Sequence, residues 1–141
     1  MTRVEFIINV PDKLAKVAEL CDRALAKGRQ LTVFTHDDAM SRTLQQKLWQ
    51  QSATSFLPSS LADDVMCQFS PIVLDMCGEN LMQDDVLINL QSEHPPFFSR
   101  FRYLVELVGL EELDKAAARV RFKFYRDRGY EIKRTDMAEH Q

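Results

Sequence analysis

Residues 4–35, VEFIINVPDKLAKVAELCDRALAKGRQLTVFT, decide the fold because two kinds of hydrophobic pattern alternate along them. Residues 4–9 and 31–35 are rich in β-branched and aromatic side chains and predict strands. Between them, apolar residues recur at helical spacing and predict a helix that Asp12 can cap and Gly28 can end. A strand, a helix and a second strand in this order favour parallel strands connected by a helix.

The rest of the chain continues this alternation. A second helix is predicted to begin at Asp37 or Asp38, and a long third helix over residues 110–128 is ended by Gly129. Further strands are predicted at 56–58, 72–75, 86–90 and 130–134, while residues 103–108 fit either a strand or a short helix. We therefore predict one α/β domain over residues 1–141. Its mainly parallel sheet is flanked by helices in a Rossmann-like outline, and its tail is frayed from Thr135.

The composition is that of a soluble globular protein, with 45% hydrophobic and 28% charged residues. No apolar run approaches the roughly 20 residues of a membrane span. The N-terminal residues lack the pattern of a signal peptide, so a cytoplasmic location is expected. Cys21, Cys67 and Cys77 have no Cys-x-x-Cys spacing and are expected to be free thiols in a reducing compartment.

The net charge of −3 conceals a strongly basic segment near the C-terminus. Residues 115–134 contain eight basic and two acidic residues, so this window carries +6 and the remainder carries −9. An acidic body with one basic end is poorly suited to wrapping duplex DNA. It is better suited to binding an anionic ligand at one place.

Motifs for nucleotide or metal binding are missing from the sequence. The four glycines fit neither of the common phosphate-binding spacings. Asp12 also places a carboxylate where a helix N-terminus would receive a pyrophosphate. The cluster at residues 36–38, His-Asp-Asp, mixes metal ligands but lies at a predicted helix start, where Asp is usually a cap. We therefore expect no cofactor and no metal, whereas a catalytic triad of residues distant in the chain stays open.

The last helix carries the strongest functional pattern. On a helical wheel, one stripe is apolar and is expected to face the core: Leu110, Leu113, Ala117, Val120 and Phe124. The opposite face is basic and includes one aromatic residue: Lys115, Arg119, Phe122, Lys123 and Arg126. Such a face is either simply solvated or a site for an anionic, aromatic peptide. Arginine pairs with carboxylates through two hydrogen bonds, and aromatic residues anchor interfaces.

Trp49 is a second candidate. It lies on the wheel roughly opposite the apolar residues of the second helix, so it is expected outside the main core. A tryptophan in such a place is either a local lid or part of a binding surface.

Several segments together resemble the chi subunits of bacterial DNA polymerase III. They are residues 119–130 (RVRFKFYRDRGY), Leu48-Trp49 followed by residues 55–58 (SFLP), and residues 85–90 (DVLINL). The length and the order of elements are also similar to those of the family, so the resemblance covers nearly the whole chain.

The resemblance implies a noncatalytic subunit of the clamp-loader complex that acts as an adaptor in DNA replication. In the family, an Arg, an aromatic residue and a Lys of the last helix, near a Trp, hold the acidic C-terminal tail of single-stranded DNA-binding protein. Those roles fall on Arg119, Phe122, Lys123 and Trp49, with Arg126 in the same basic row. Contact with the psi subunit is implied for Phe56. Two alternatives stay open, a small nucleotide-binding α/β enzyme and a module that binds nucleic acid directly.

Overall fold

The computed structural model describes residues 2–50, 59–61, 72–75, 84–91 and 93–137. Within these ranges the strands are β1 (Arg3–Ile8), β2 (Leu31–Phe34), β3 (Ser59–Leu61), β4 (Ile72–Asp75), β5 (Val86–Asn89), β6 (Tyr103–Leu107) and β7 (Ile132–Asp136). The helices are α1 (Lys13–Ala26), α2 (Asp38–Gln50) and α3 (Glu112–Asp127), and a 3-10 helix covers Phe98–Arg100. No helix in these ranges is long and apolar enough to cross a membrane.

All seven strands belong to one sheet in the order β3-β4-β2-β5-β6-β1-β7, and each neighbouring pair is parallel. The prediction of an α/β domain with a mainly parallel sheet is thus confirmed. Residues 103–107 form a strand, which resolves the ambiguity of that segment. β3 begins at Ser59, whereas the strand predicted over residues 56–58 lies outside the described residues.

Each face of the sheet packs against its own layer. On one face, α1 and α2 cover a core that includes Val17, Cys21, Leu44 and Ile88. On the other face, α3 and the segment around the 3-10 helix cover an aromatic core that includes Phe6 and Tyr125. Neighbouring residues such as Phe6 and Ile7 enter different cores, as expected for side chains that alternate across a sheet.

The predicted helix boundaries have the expected local causes. Asp12 Oδ1 accepts a hydrogen bond from Ala15 N at 3.2 Å, and Asp37 Oδ1 accepts one from Met40 N at 2.8 Å. Both carboxylates therefore cap helix N-termini, as predicted. Gly129 follows α3 with φ of +84°, a left-handed conformation that glycine adopts without strain.

The prediction that the chain frays from Thr135 onward places the start of the tail too early. Thr135 and Asp136 belong to β7 and pair with Ile7 and Ile8 of β1. Their side chains are also fixed, because Thr135 Oγ1 donates to Glu5 Oε2 at 2.9 Å and Asn9 Nδ2 donates to Asp136 Oδ1 at 2.8 Å. The sheet therefore retains this part of the chain.

Candidate functional site

The buried face of α3 differs from the predicted one. Leu113 and Val120 were expected in the core but are 85% and 70% exposed, and Leu110 before the helix is 55% exposed. The buried residues are instead Ala118, Arg121 and Tyr125. Each follows one residue after a member of the predicted apolar stripe, so the helix is turned by about 100° from the expected orientation.

A buried carboxylate accounts for this orientation. Glu106 of β6 is fully buried and accepts hydrogen bonds from Arg121 Nε at 3.1 Å, Tyr125 Oη at 2.6 Å and Asn89 Nδ2 at 3.0 Å. Burial raises the pKa of Glu106 to about 7, although Arg121 and the other donors favour the ionised form. Burial of a charge without a partner costs far more free energy than exposure of a valine to solvent. The polar network therefore determines which face of α3 turns inward.

Phe124, the remaining aromatic residue of the predicted stripe, is half-buried at the side of the helix. Its ring stacks on His94 with centroids 3.7 Å apart, and the Arg128 guanidinium carbon lies over the ring, 4.3 Å from its centroid. Burial, together with the positive charge of Arg128, lowers the pKa of His94 below its ordinary value. This stack fixes the segment between β5 and the 3-10 helix against α3.

The rotation of α3 creates a groove between this helix and the edge of the sheet, which we call the α3 groove. Its volume is about 440 Å³. The floor is apolar and is formed by Phe6, Ile8, Val108, Ala118 and Phe122. Phe122 is half-buried and packs edge-on against Phe6, with ring centroids 5.4 Å apart. It was expected on the side away from the core, and its position follows from the turned helix.

Cations from two elements surround this floor. Lys115 and Arg119 project from α3, and Arg134 projects from β7. Among the described residues, no ion pair involves any of these three side chains. By contrast, Lys13 pairs with Asp114 at 3.2 Å and Arg29 pairs with Asp85 at 3.1 Å. The groove therefore combines an apolar floor with positive charge that no carboxylate of the described residues neutralises by an ion pair.

The predicted site residues are only partly brought together. Arg119 and Phe122 line the α3 groove, whereas Lys123 and Arg126 are exposed on α3 beyond its lining. The backbone of Trp49 lies in the last turn of α2, and its side chain is outside what the structure describes.

That Trp49 borders the same pocket as Phe122 stays a prediction, and the structure describes only the position of its helix. α2 packs on the opposite face of the sheet from α3 and contacts β3 and β4, whereas the groove lies at β1 and β7. From β4 to β1 the sheet spans four strand spacings, about 19 Å. Phe56 lies outside the described residues.

Two cationic residues of the groove were not assigned to the site by the sequence analysis. Lys115 appeared on the basic face but was not assigned to the site. Arg134 was counted only in the net charge, although it pairs in register with Phe6 and therefore shares its face of the sheet. The strand alternation of residues 130–134 carried this signal, but the position of β7 beside β1 was unknown.

A second cavity, of about 580 Å³, lies at the carboxyl ends of the strands, where α/β proteins commonly bind ligands. Val10, Leu14, Leu90 and Leu113 are among its lining residues, and we call it the C-terminal crevice. Asp114 closes one side, because its Oδ2 accepts hydrogen bonds from Gly109 N at 2.6 Å and Lys13 Nζ at 3.2 Å.

The carboxylate of Asp12 also lies in the C-terminal crevice and caps α1. The backbone N–H groups that would receive a phosphate are thus near two carboxylates, which disfavours an anionic nucleotide.

Comparisons with known proteins agree on one family. A family model described as DNA polymerase III chi subunit, HolC, matches residues 1–133. The chain is 34% identical over 136 residues to DNA polymerase III subunit chi of Pseudomonas aeruginosa, covering 94% of each chain. It is 29% identical over 106 residues to the subunit of the same name from Haemophilus influenzae, covering 74% of each.

A third comparison concerns the fold alone. The C-terminal domain of the DEAD-box protein Dbp5 superposes with a TM-score of 0.69, covering 97% of this chain and 91% of that one. The sequence identity is 11%, so this similarity says nothing about activity.

Proposed function

This chain belongs to the DNA polymerase III chi subunit family, and on that premise we propose that it is a noncatalytic adaptor of DNA replication. Its α3 groove binds the acidic C-terminal tail of single-stranded DNA-binding protein. Through that tail, the clamp-loader complex is linked to coated single-stranded DNA.

The observation that carries this proposal is the chemistry of the α3 groove. Its volume of about 440 Å³ accommodates a large aromatic or aliphatic side chain, and its floor is apolar. Arg119 and Lys115 stand beside the floor without an ion-pair partner among the described residues. A peptide that ends in an apolar residue with a free carboxylate offers both matching groups within one residue.

The binding mechanism follows from the two kinds of group. The Arg119 guanidinium clasps the terminal carboxylate through parallel hydrogen bonds. The last side chain of the tail lies on the floor, against Phe6 and Phe122. Lys123 and Arg126 attract the acidic residues that precede it, since Arg126 lies about 10 Å along the helix axis from Arg119.

The psi subunit is proposed to bind near Phe56, as the resemblance to the family implies. Phe56 lies three residues before Ser59 in the sequence, and Ser59 begins β3, the edge strand opposite β7. The two edges are six strand spacings apart, about 29 Å. Psi at one edge therefore leaves the α3 groove accessible to the tail.

Direct binding to DNA is expected to be weak, because the chain is acidic outside residues 115–134. A nucleotide-dependent activity is the less favoured alternative, because the lining of the C-terminal crevice includes the carboxylates of Asp12, Glu111 and Asp114. Thermal stabilisation by a nucleotide, or tight binding to an oligonucleotide without binding to the peptide, would favour those alternatives.

Calorimetric titration of an acidic peptide that ends in Asp-Phe-Pro-Phe tests the proposal. We expect saturable one-to-one binding that is lost when the peptide C-terminus is amidated. Arg119→Ala is expected to cost about 1.5–3 kcal/mol of binding free energy, as for other charge-assisted hydrogen bonds.

Arg23→Ala is the matched control, because Arg23 is an exposed arginine of α1 on the other face of the sheet. This variant is expected to bind as the unchanged protein does. Equal binding of the amidated and free-acid peptides would refute the role of the terminal carboxylate.

A further inference from the structure

β7 forms one wall of the α3 groove, and its residues alternate between the two faces of the sheet. Arg134 pairs in register with Phe6, and Ile132 pairs with Val4. Phe6, Val4 and Ile132 all belong to the core beneath α3, so Arg134 lies on the same face. Its side chain is exposed and lines the groove.

Lys133 lies on the other face of the sheet. It pairs in register with Glu5, whose carboxylate accepts a hydrogen bond from Thr135 on that face. Two adjacent cations of one strand are thus separated by the sheet, and only Arg134 reaches the groove. Removal of Lys133 and removal of Arg134 change the net charge equally, so a Lys133 variant is a control for an Arg134 variant.

The groove is therefore bounded by cations on two elements with an apolar floor between them. Arg119 stands on α3, and Arg134 stands on β7 across the floor formed by Phe6 and Phe122. One carboxylate held by Arg119 leaves Arg134 for a second anion. A ligand with a single anionic group would leave one wall of the groove without a partner.

We propose that Arg134 is a second binding residue of the α3 groove and selects peptides with an acidic side chain just before the apolar C-terminal residues. The proposal rests on the proposed function and specifies which part of the tail contacts which wall. The terminal carboxylate binds on α3, and the nearest acidic side chain crosses the floor to β7. Lys123 and Arg126 then attract the more distant acidic residues without contacting this one.

The test measures by calorimetry the affinity of two peptides for each of three proteins. The peptides end in Asp-Phe-Pro-Phe and Asn-Phe-Pro-Phe, both with free carboxylates, and the proteins are the unchanged chain, Arg134→Ala and Lys133→Ala. The unchanged protein and Lys133→Ala are expected to bind the Asp peptide roughly tenfold more tightly than the Asn peptide. Arg134→Ala is expected to bind both peptides equally, at the weaker affinity.

Each result decides a different claim. If Arg134→Ala retains the preference for the Asp peptide, or binds it as tightly as the unchanged protein does, Arg134 is not the partner of that side chain. If the unchanged protein binds neither peptide, the proposed function fails and this inference fails with it. Thermal unfolding of the two variants is the control, and equal midpoints exclude a folding defect as the cause.

Discussion

Replacement of Arg121 by leucine tests the finding that a buried ion pair, and not the apolar stripe, orients α3. The side chains of Arg121 and Glu106 are 3% and 0% exposed and are joined at 3.1 Å. Removal of one partner of a buried pair typically costs 3–5 kcal/mol, because the other charge stays buried without compensation. Tyr125 and Asn89 still donate to Glu106, so we expect a loss of about 3 kcal/mol at pH 8.

The loss of stability caused by Arg121→Leu should depend on pH, and the Glu106 carboxyl determines the direction of this dependence. Burial raises its pKa from 4.5 to about 7, so protonation of Glu106 favours the folded state. Its contribution to stability is fully present below pH 4.5 and is lost as the pH rises through 7. Without Arg121 the pKa rises further and the loss continues to higher pH. The difference in stability between the two proteins should therefore be smaller at pH 6 than at pH 8.

Urea unfolding followed by circular dichroism measures these free energies. Arg119→Leu is the matched control, because it makes the same substitution two residues away at an exposed position and should change stability by less than about 0.5 kcal/mol. Val120→Thr should be equally neutral. A loss below about 1 kcal/mol for Arg121→Leu would contradict the role of the buried ion pair. A loss for Val120→Thr that exceeds the loss for Arg121→Leu would contradict it as well.

Three further outcomes are expected. Burial raises the pKa of the Cys21 thiol to about 12. Its alkylation at pH 8 should therefore be on the order of a hundredfold slower in the folded protein than in urea, as measured by peptide mass spectrometry. Comparable rates would show that Cys21 is accessible. Asp114→Ala removes the acceptor of the Gly109 N–H and the partner of Lys13, and should lower the free energy of unfolding by about 1–3 kcal/mol, measured with urea. Affinity for the acidic peptide should fall as salt is raised from 50 to 300 mM, because exposed cations attract it through water; salt-independent calorimetric affinities would contradict that electrostatic contribution.

The strands and the sheet type could be predicted from the sequence because their signals are local. Residues 72–75 and 86–89 form strands where short apolar runs predicted them. The helix caps at Asp12 and Asp37 are equally local, since each side chain bonds a backbone N–H three residues later. The order of the strands could not be predicted in this way, because it depends on pairing between distant segments.

The buried face of α3 was predicted wrongly because a helical wheel considers only which residues are apolar. It does not include the partners that a charged side chain finds elsewhere in the fold. Arg121 was counted only among the basic residues of the window 115–134, and Glu106 lies in the segment 103–108, which fitted either a strand or a short helix. Only the fold brings them to 3.1 Å. The row of Lys115, Arg119 and Phe122 was still identified, because residues at helical spacing share a face whichever way the helix is turned.

The most direct test of the account is an amide NMR titration of this 16.3 kDa chain with the free-acid Asp-Phe-Pro-Phe peptide. We predict shift changes concentrated along residues 115–122 of α3 and around Arg134 of β7, and their loss with the amidated peptide. Changes concentrated at α2 and β3, or in the C-terminal crevice around Leu90, would place the peptide elsewhere. Such a result, or no change at all, would contradict the claim that the α3 groove binds an acidic C-terminal tail.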